Sequence, residues 1–195
     1  MRSLGGHAVR AASFGCALGL AACAGLTTTP PASSVVFAAA LPSFEAAGRL
    51  SVRHGSDALT ANFRWQRDGN RDEVDLASPL GQTIARLTGD GDGVALRTAD
   101  GRVATGSDWA ALTAQSLGWP LPVDGLAFWI QGAPRTGAPY TAEPGDDGRP
   151  RLLRQDGWTI VYQSFTTSAN DAGRPTRMTL SYPDVELRLV VDNWQ

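Results

Sequence analysis

Apolar residues fall at every second position through most of this chain. Phe44, Ala46, Gly48, Leu50 and Val52 share one face of a first predicted strand, and Leu59, Ala61, Phe63 and Trp65 share one face of a second. The other side of that second strand carries Thr60, Asn62, Arg64 and Gln66, the cleanest alternation in the sequence. A period of two is the signature of a half-buried strand. Val74 and Leu76 alternate with charge, and Thr83, Ala85 and Leu87 alternate with Arg86. Between them lies the corner Ser78-Pro79-Leu80-Gly81. Pro79 presets φ for a turn and Gly81 tolerates the positive φ that closes one. That leaves Leu80 at the tip, either folded inward as a plug or exposed for use; the local residues leave both open.

Tight-turn signals at Asp68-Gly69, Gly89–Gly93, Asp100-Gly101, Asp156-Gly157 and Pro183-Asp184 separate further short runs, among them Val94–Leu96, Leu152-Leu153, Trp158/Ile160/Tyr162, Met178/Leu180 and Val185–Val191. A Gly, Pro and Asp loop spans Pro144–Pro150 and a longer loop spans Asn170–Pro175. About eleven antiparallel strands are expected, enough for the sheet to curl around a filling and wider than a barrel of about eight strands packed by its own side chains. The middle of the chain changes period. Ser107 is placed to cap a helix with Trp109, Leu112 and Leu117 on one side and Gly118 at its end. Pro122 opens a second helix with Leu126, Trp129 and Ile130 on one face and Gly132 and Pro134 as the stop. These two apolar faces either pack on the sheet as core or form a lid over a cavity. Val35–Leu41 is read as a short helix stopped by Pro42.

Composition narrows the chemistry. Arg2 and Arg10 precede the apolar run Ala11–Ala22, which is too short to span a bilayer and reads as a secretory signal over residues 1–22. It ends Leu20-Ala21-Ala22-Cys23, a lipobox-like site that makes Cys23 the expected lipidated residue. Residues 23–42 are then a lipidated cysteine and proline-bearing tether, and residues 43–195 one domain. The usual sorting rule reads Ala24 as an outer-membrane signal. Processing removes two of the 17 basic residues and none of the 19 acidic ones, leaving a net charge of −4 and no basic footprint for nucleic acid. Cys16 leaves with the signal, so the mature domain has no free thiol for a disulfide, metal or nucleophile. His54 is its one histidine, a poor start for a Ser-His-Asp arrangement. Asp90 and Asp92 lack the later ligands of a calcium loop, and the pairs Asp72/Glu73 and Asp146/Asp147 are read as solvated turn residues. No catalytic residue, metal site or cofactor is expected, and the chain is read as a monomer that binds something apolar rather than as an enzyme.

Gly48-Arg49-Leu50, Phe63-Arg64-Trp65, Ser78-Pro79-Leu80-Gly81, Gly118 with Leu121-Pro122, Leu126 with Trp129-Ile130 and Gly132, Gly157-Trp158 with Tyr162, and Asp192-Asn193-Trp194 follow one another in order. Together with the lipobox, they make Phe44–Trp194 resemble the LolB family of outer-membrane lipoprotein receptors. The resemblance implies a mainly β fold, an open antiparallel half-barrel of about eleven strands with short helices covering an apolar cavity. It implies acceptance of lipoproteins, by their acyl chains, from the periplasmic carrier LolA and their insertion into the inner leaflet of the outer membrane, with the protein anchored there and facing the periplasm. It implies a protruding Leu80, between Pro79 and Gly81, as the membrane-insertion loop, and Phe63, Trp65, Trp129, Trp158 and Tyr162 as the acyl-chain cavity. A short, Pro42-broken segment before Phe44 departs from the family's N-terminal helix, and the 144–150 loop has no evident counterpart in it. A general lipid or glycolipid carrier would share the cavity without needing Leu80; a structural assembly lipoprotein would use the aromatics as filled core.

Overall fold

A computed structural model of the chain describes residues 34–167 and 173–195. The expected signal segment, Cys23, Ala24 and the first part of the tether lie outside the described residues, as do residues 170–172 of the 170–175 loop. The described part is one antiparallel sheet with two short helices on one of its faces. The strands are β1 (Ser43–His54), β2 (Asp57–Asp68), β3 (Arg71–Ala77), β4 (Thr83–Asp90), β5 (Gly93–Thr98), β6 (Val103–Gly106), β7 (Tyr140–Pro144), β8 (Pro150–Gln155), β9 (Trp158–Phe165), β10 (Pro175–Tyr182) and β11 (Val185–Trp194). The helices α1 (Trp109–Leu117) and α2 (Val123–Trp129) sit between β6 and β7.

The strand order is β6-β5-β4-β3-β2-β1-β11-β10-β9-β8-β7, so the sheet is two meanders joined where the first strand pairs with the last. β6 and β7 never pair, which leaves the sheet open on the side where the helices lie. The expected alternation sets which face is buried: Phe44, Ala46, Leu50 and Val52 of β1 point inward, as do Ala61, Phe63 and Trp65 of β2. Inward residues from β1 to β5 and from β8 to β11 belong to one apolar cluster with both helices. A flat sheet could not bring its two wings to one cluster, so this one curls.

Three expectations need correction. Asp108, not Ser107, caps α1; its backbone is extended and its carboxylate accepts a hydrogen bond from the Ala111 amide at 2.9 Å. Val35–Leu41 forms no helix. Seven residues ending at a proline are too few to recover the cost of helix nucleation, and their backbone groups find other partners, described below. β7 was not anticipated. The 144–150 loop turns out to be the hairpin turn that pairs β7 with β8, closed by Gly145 and Arg149 backbone bonds.

Candidate functional site

α2 lies across the concave face of the sheet. Its inward side presents Val123, Leu126 and Ile130, with Leu121 just before it, to Leu50, Phe63, Trp65, Val74, Leu76, Leu187 and Leu189 of the strands. Between the two sets remains an entirely apolar-lined void of about 20 Å³. That holds about one water molecule, and no acyl chain. Leu121 and α2 therefore cover this part of the concave face. Trp109 anchors the other helix on Gly89 of β4, where any Cβ would overlap the indole.

The five aromatic residues expected to line one cavity divide into two groups. Phe63 and Trp65 line the void under α2. Trp129 is fully buried on a different side of the helix, where its indole Nε1–H donates to Gln155 Oε1 at 2.8 Å. Its ring lies 6.3 Å from that of Trp158, which stacks on Tyr182 at 5.1 Å. The Tyr162 hydroxyl donates to the Trp129 carbonyl at 2.9 Å, and burial pushes the phenol pKa up. Trp129, Trp158 and Tyr162 thus fix the end of α2 to β8 and β9, and they do not border the void. The aliphatic liners Leu50, Val74, Leu76, Leu187 and Leu189 were legible in the period-two pattern, whereas Leu121 and Ile130 needed the helix orientation.

Asp72, expected to be solvated, is 4% exposed. β3 alternates with Asp72, Val74 and Leu76 on its inner face, so the residue enters the core by register. Its carboxylate accepts from Trp65 Nε1 at 2.8 Å and pairs with Arg67 across the β2–β3 ladder at 2.8 Å. Burial raises its pKa above the ordinary value, against the opposing pull of Trp65 and Arg67. Through Trp65 this buried pair holds one wall of the void. Asp146 and Asp147 lie in the β7–β8 turn, where Asp147 pairs with Arg149, and His54 is half-buried at the end of β1.

The Ser78–Gly81 corner is a hydrogen-bonded turn. The Gly81 amide donates to the Ser78 carbonyl at 2.8 Å, and Ser78 and Gln82 close its base through Ser78 N to Gln82 O at 2.7 Å. Gly81 has φ of 84°, a conformation a side chain would strain. Leu80 stands on this turn 90% exposed. The inward plug that the local residues left open is not what forms: the turn is satisfied by its own backbone, and Leu80 is held away from the core. By register the corner lies at the end of the sheet marked by His54 and Asp57, opposite the end where Ser43 meets Asp68.

Among the described residues no group of His, Cys, Asp and Glu could hold a metal ion, and no helix is long and apolar enough to cross a membrane.

Comparison with known proteins supplies the family. The family model described as outer membrane lipoprotein LolB matches residues 42–194. An outer-membrane lipoprotein LolB of Thiobacillus denitrificans is 40% identical over 87% of this chain and 89% of its own length. The protein of that name from Azoarcus is 36% identical over 94% of both chains. In three dimensions the fold resembles the crystal structure of a LolA superfamily protein from Nitrosomonas europaea, with a TM-score of 0.52 at 14% identity over 78% of this chain and 85% of that one.

Proposed function

The chain belongs to the LolB family, and from that premise we propose that it is an outer-membrane lipoprotein receptor, which takes lipoproteins from a soluble periplasmic carrier of the LolA type and places them in the inner leaflet of the outer membrane. The observation that carries this reading is the wholly apolar void closed by a helix rather than by the sheet.

A lipoprotein with three acyl chains exposes on the order of 45 methylenes, and at about 0.8 kcal/mol each their transfer through water would cost tens of kcal/mol. The chains therefore pass from one apolar cavity to another. Driving force comes from differential affinity: this cavity holds the chains better than the carrier does, and the bilayer better than this cavity. Lifting α2 into water would expose Leu121, Val123, Leu126 and Ile130 at roughly 1.5–3 kcal/mol each. Opening thus proceeds by exchange, an acyl chain replacing the helix against Phe63, Trp65 and the aliphatic wall. Leu80, at the far tip of the β3–β4 hairpin, enters the bilayer interface and leads the cargo in. Acylation at Cys23 keeps the cavity near its destination and raises the effective concentration without adding specificity.

The test is to load the carrier with a triacylated lipoprotein, add it to liposomes bearing the full-length acylated receptor, and recover the vesicles by flotation. Lipoprotein in the vesicle fraction is the expected result. Uptake of free fatty acyl probes without any lipoprotein transfer would overturn the proposal in favour of a general lipid carrier.

A further inference from the structure

The segment Ser34–Pro42 has no regular secondary structure, yet it is held at successive points. The Val36 amide donates to the Gly148 carbonyl at 2.8 Å in the β7–β8 turn, and Phe37 meets Tyr140 edge to face at 5.6 Å. Arg174 Nη1 donates to the Ala39 carbonyl at 2.9 Å. Next comes Leu41, whose amide donates to Gln131 Oε1 at 2.8 Å and whose carbonyl accepts from Gln131 Nε2 at 3.2 Å. Pro42 then accepts from the Gly69 amide and β1 begins.

Gln131 follows α2 by two residues and is 1% exposed. Besides Leu41, its Nε2 donates to the Ala127 carbonyl inside α2 at 2.8 Å, and its Oε1 accepts from Arg174 at 3.3 Å. An amide side chain offers two donors and two acceptor positions, and here all four are used. At the end of α2 the Gln131, Gly132 and Ala133 amides return to the Phe128 and Trp129 carbonyls, and the Gln131 side chain caps the Ala127 carbonyl. What the side chain adds is a bridge: one side of the amide grips the lid helix, the other pairs with the strap as a neighbouring strand would.

We propose that residues 36–41 form a latch on the lid, with Gln131 as the positioning residue that transmits the state of the strap to α2. While the strap is seated, α2 is held over the void; when it leaves, the buried amide loses both bonds to Leu41 and the closed position keeps only its Trp129–Gln155 and Tyr162–Trp129 ties to the sheet. Direction matters. The strap leads back toward Cys23, thirteen residues before Val36, so a pull from that side reaches Gln131 before it reaches β1. Access to the cavity is thereby sensitive to the segment that carries the expected lipid anchor. The latch is read from contacts alone, whereas its consequence for cargo rests on the acyl-cavity reading above.

Two full-length variants test it. Gln131→Met keeps the packing volume and removes the amide; Val36→Pro combined with Leu41→Pro leaves Gln131 in place and removes the strap amides that donate to Gly148 and Gln131. Hydrogen exchange followed by mass spectrometry reads the amides of α2, and a fluorescent fatty acid reads entry to the cavity. Both variants are expected to speed exchange across residues 123–132 and probe uptake by roughly tenfold or more, the consequence of at least two lost hydrogen bonds, with β1–β5 exchange unchanged. Faster exchange in the strap with α2 unaffected would overturn the latch, and so would a uniform increase across the whole sheet. Faster α2 exchange in a protein that takes up no probe would support the latch and sink the acyl cavity instead.

Discussion

The two ends of the β3–β4 hairpin invert the usual partition of side chains. At one end an aspartate is buried; at the other a leucine is 90% exposed. The difference lies in where each finds compensation. Asp72 is answered within the chain, by the Trp65 indole and the Arg67 guanidinium, so its burial is accounted for by folding. Leu80 is left exposed among the described residues, although the turn beneath it is closed by hydrogen bonds between Ser78, Gly81 and Gln82 and held by Gly81. In the receptor proposed above, the compensated residue serves the fold and the uncompensated one meets the bilayer.

That contrast breaks first at Leu80. Leu80→Glu is expected to leave stability within about 0.5 kcal/mol of the parent, as for exposed sites generally, and to abolish delivery of lipoprotein into liposomes while acceptance from the carrier continues. Equal loss of acceptance, read as lipoprotein co-purifying with the receptor without liposomes, and of delivery into liposomes would place Leu80 in the folding of the cavity instead. Asp72→Ala should behave in the opposite sense, removing about 2–3 kcal/mol by stranding the Trp65 N–H and the Arg67 charge, seen as a melting temperature lower by about 5–10 °C. Its transfer activity should follow only the folded fraction. Gly81→Ala sharpens the comparison at smaller scale: with φ positive it should cost about 1 kcal/mol in chemical denaturation and re-aim Leu80, lowering insertion more than acceptance.

The smallest effect is one of pH. Burial raises the Asp72 carboxyl above its ordinary value of 3.8, with Asp124 on α2 adding to the rise and Trp65 and Arg67 opposing it. The folded state thus holds this proton more tightly than the unfolded chain does. Its stabilising contribution is present below 3.8 and is lost as pH rises through the raised pKa. Against Asp72→Asn, which cannot titrate, the unfolding free energy of the parent should fall across that acidic window and run parallel above it.

The sequence by itself determined most of the strands and which of their faces is apolar, the turns at Asp68-Gly69, Asp100-Gly101 and Asp156-Gly157, and the two interrupting helices. Each of these is a local consequence of side-chain period and backbone preference, readable within a dozen residues. Tertiary structure alone decided the rest. Asp72 and Glu73 are neighbours of like charge, and only the register of β3 sends one into the core and the other out. Phe63 and Trp129 are equally aromatic, and only the rotation of α2 on the sheet puts one at the void and the other at Gln155. The segment at Val35–Leu41 looked helical because its partners, Gly148, Tyr140 and Gln131, are about 90 or more residues away along the chain. Long-range pairing carries no local signal, since it depends on which distant groups the fold leaves waiting for a bond.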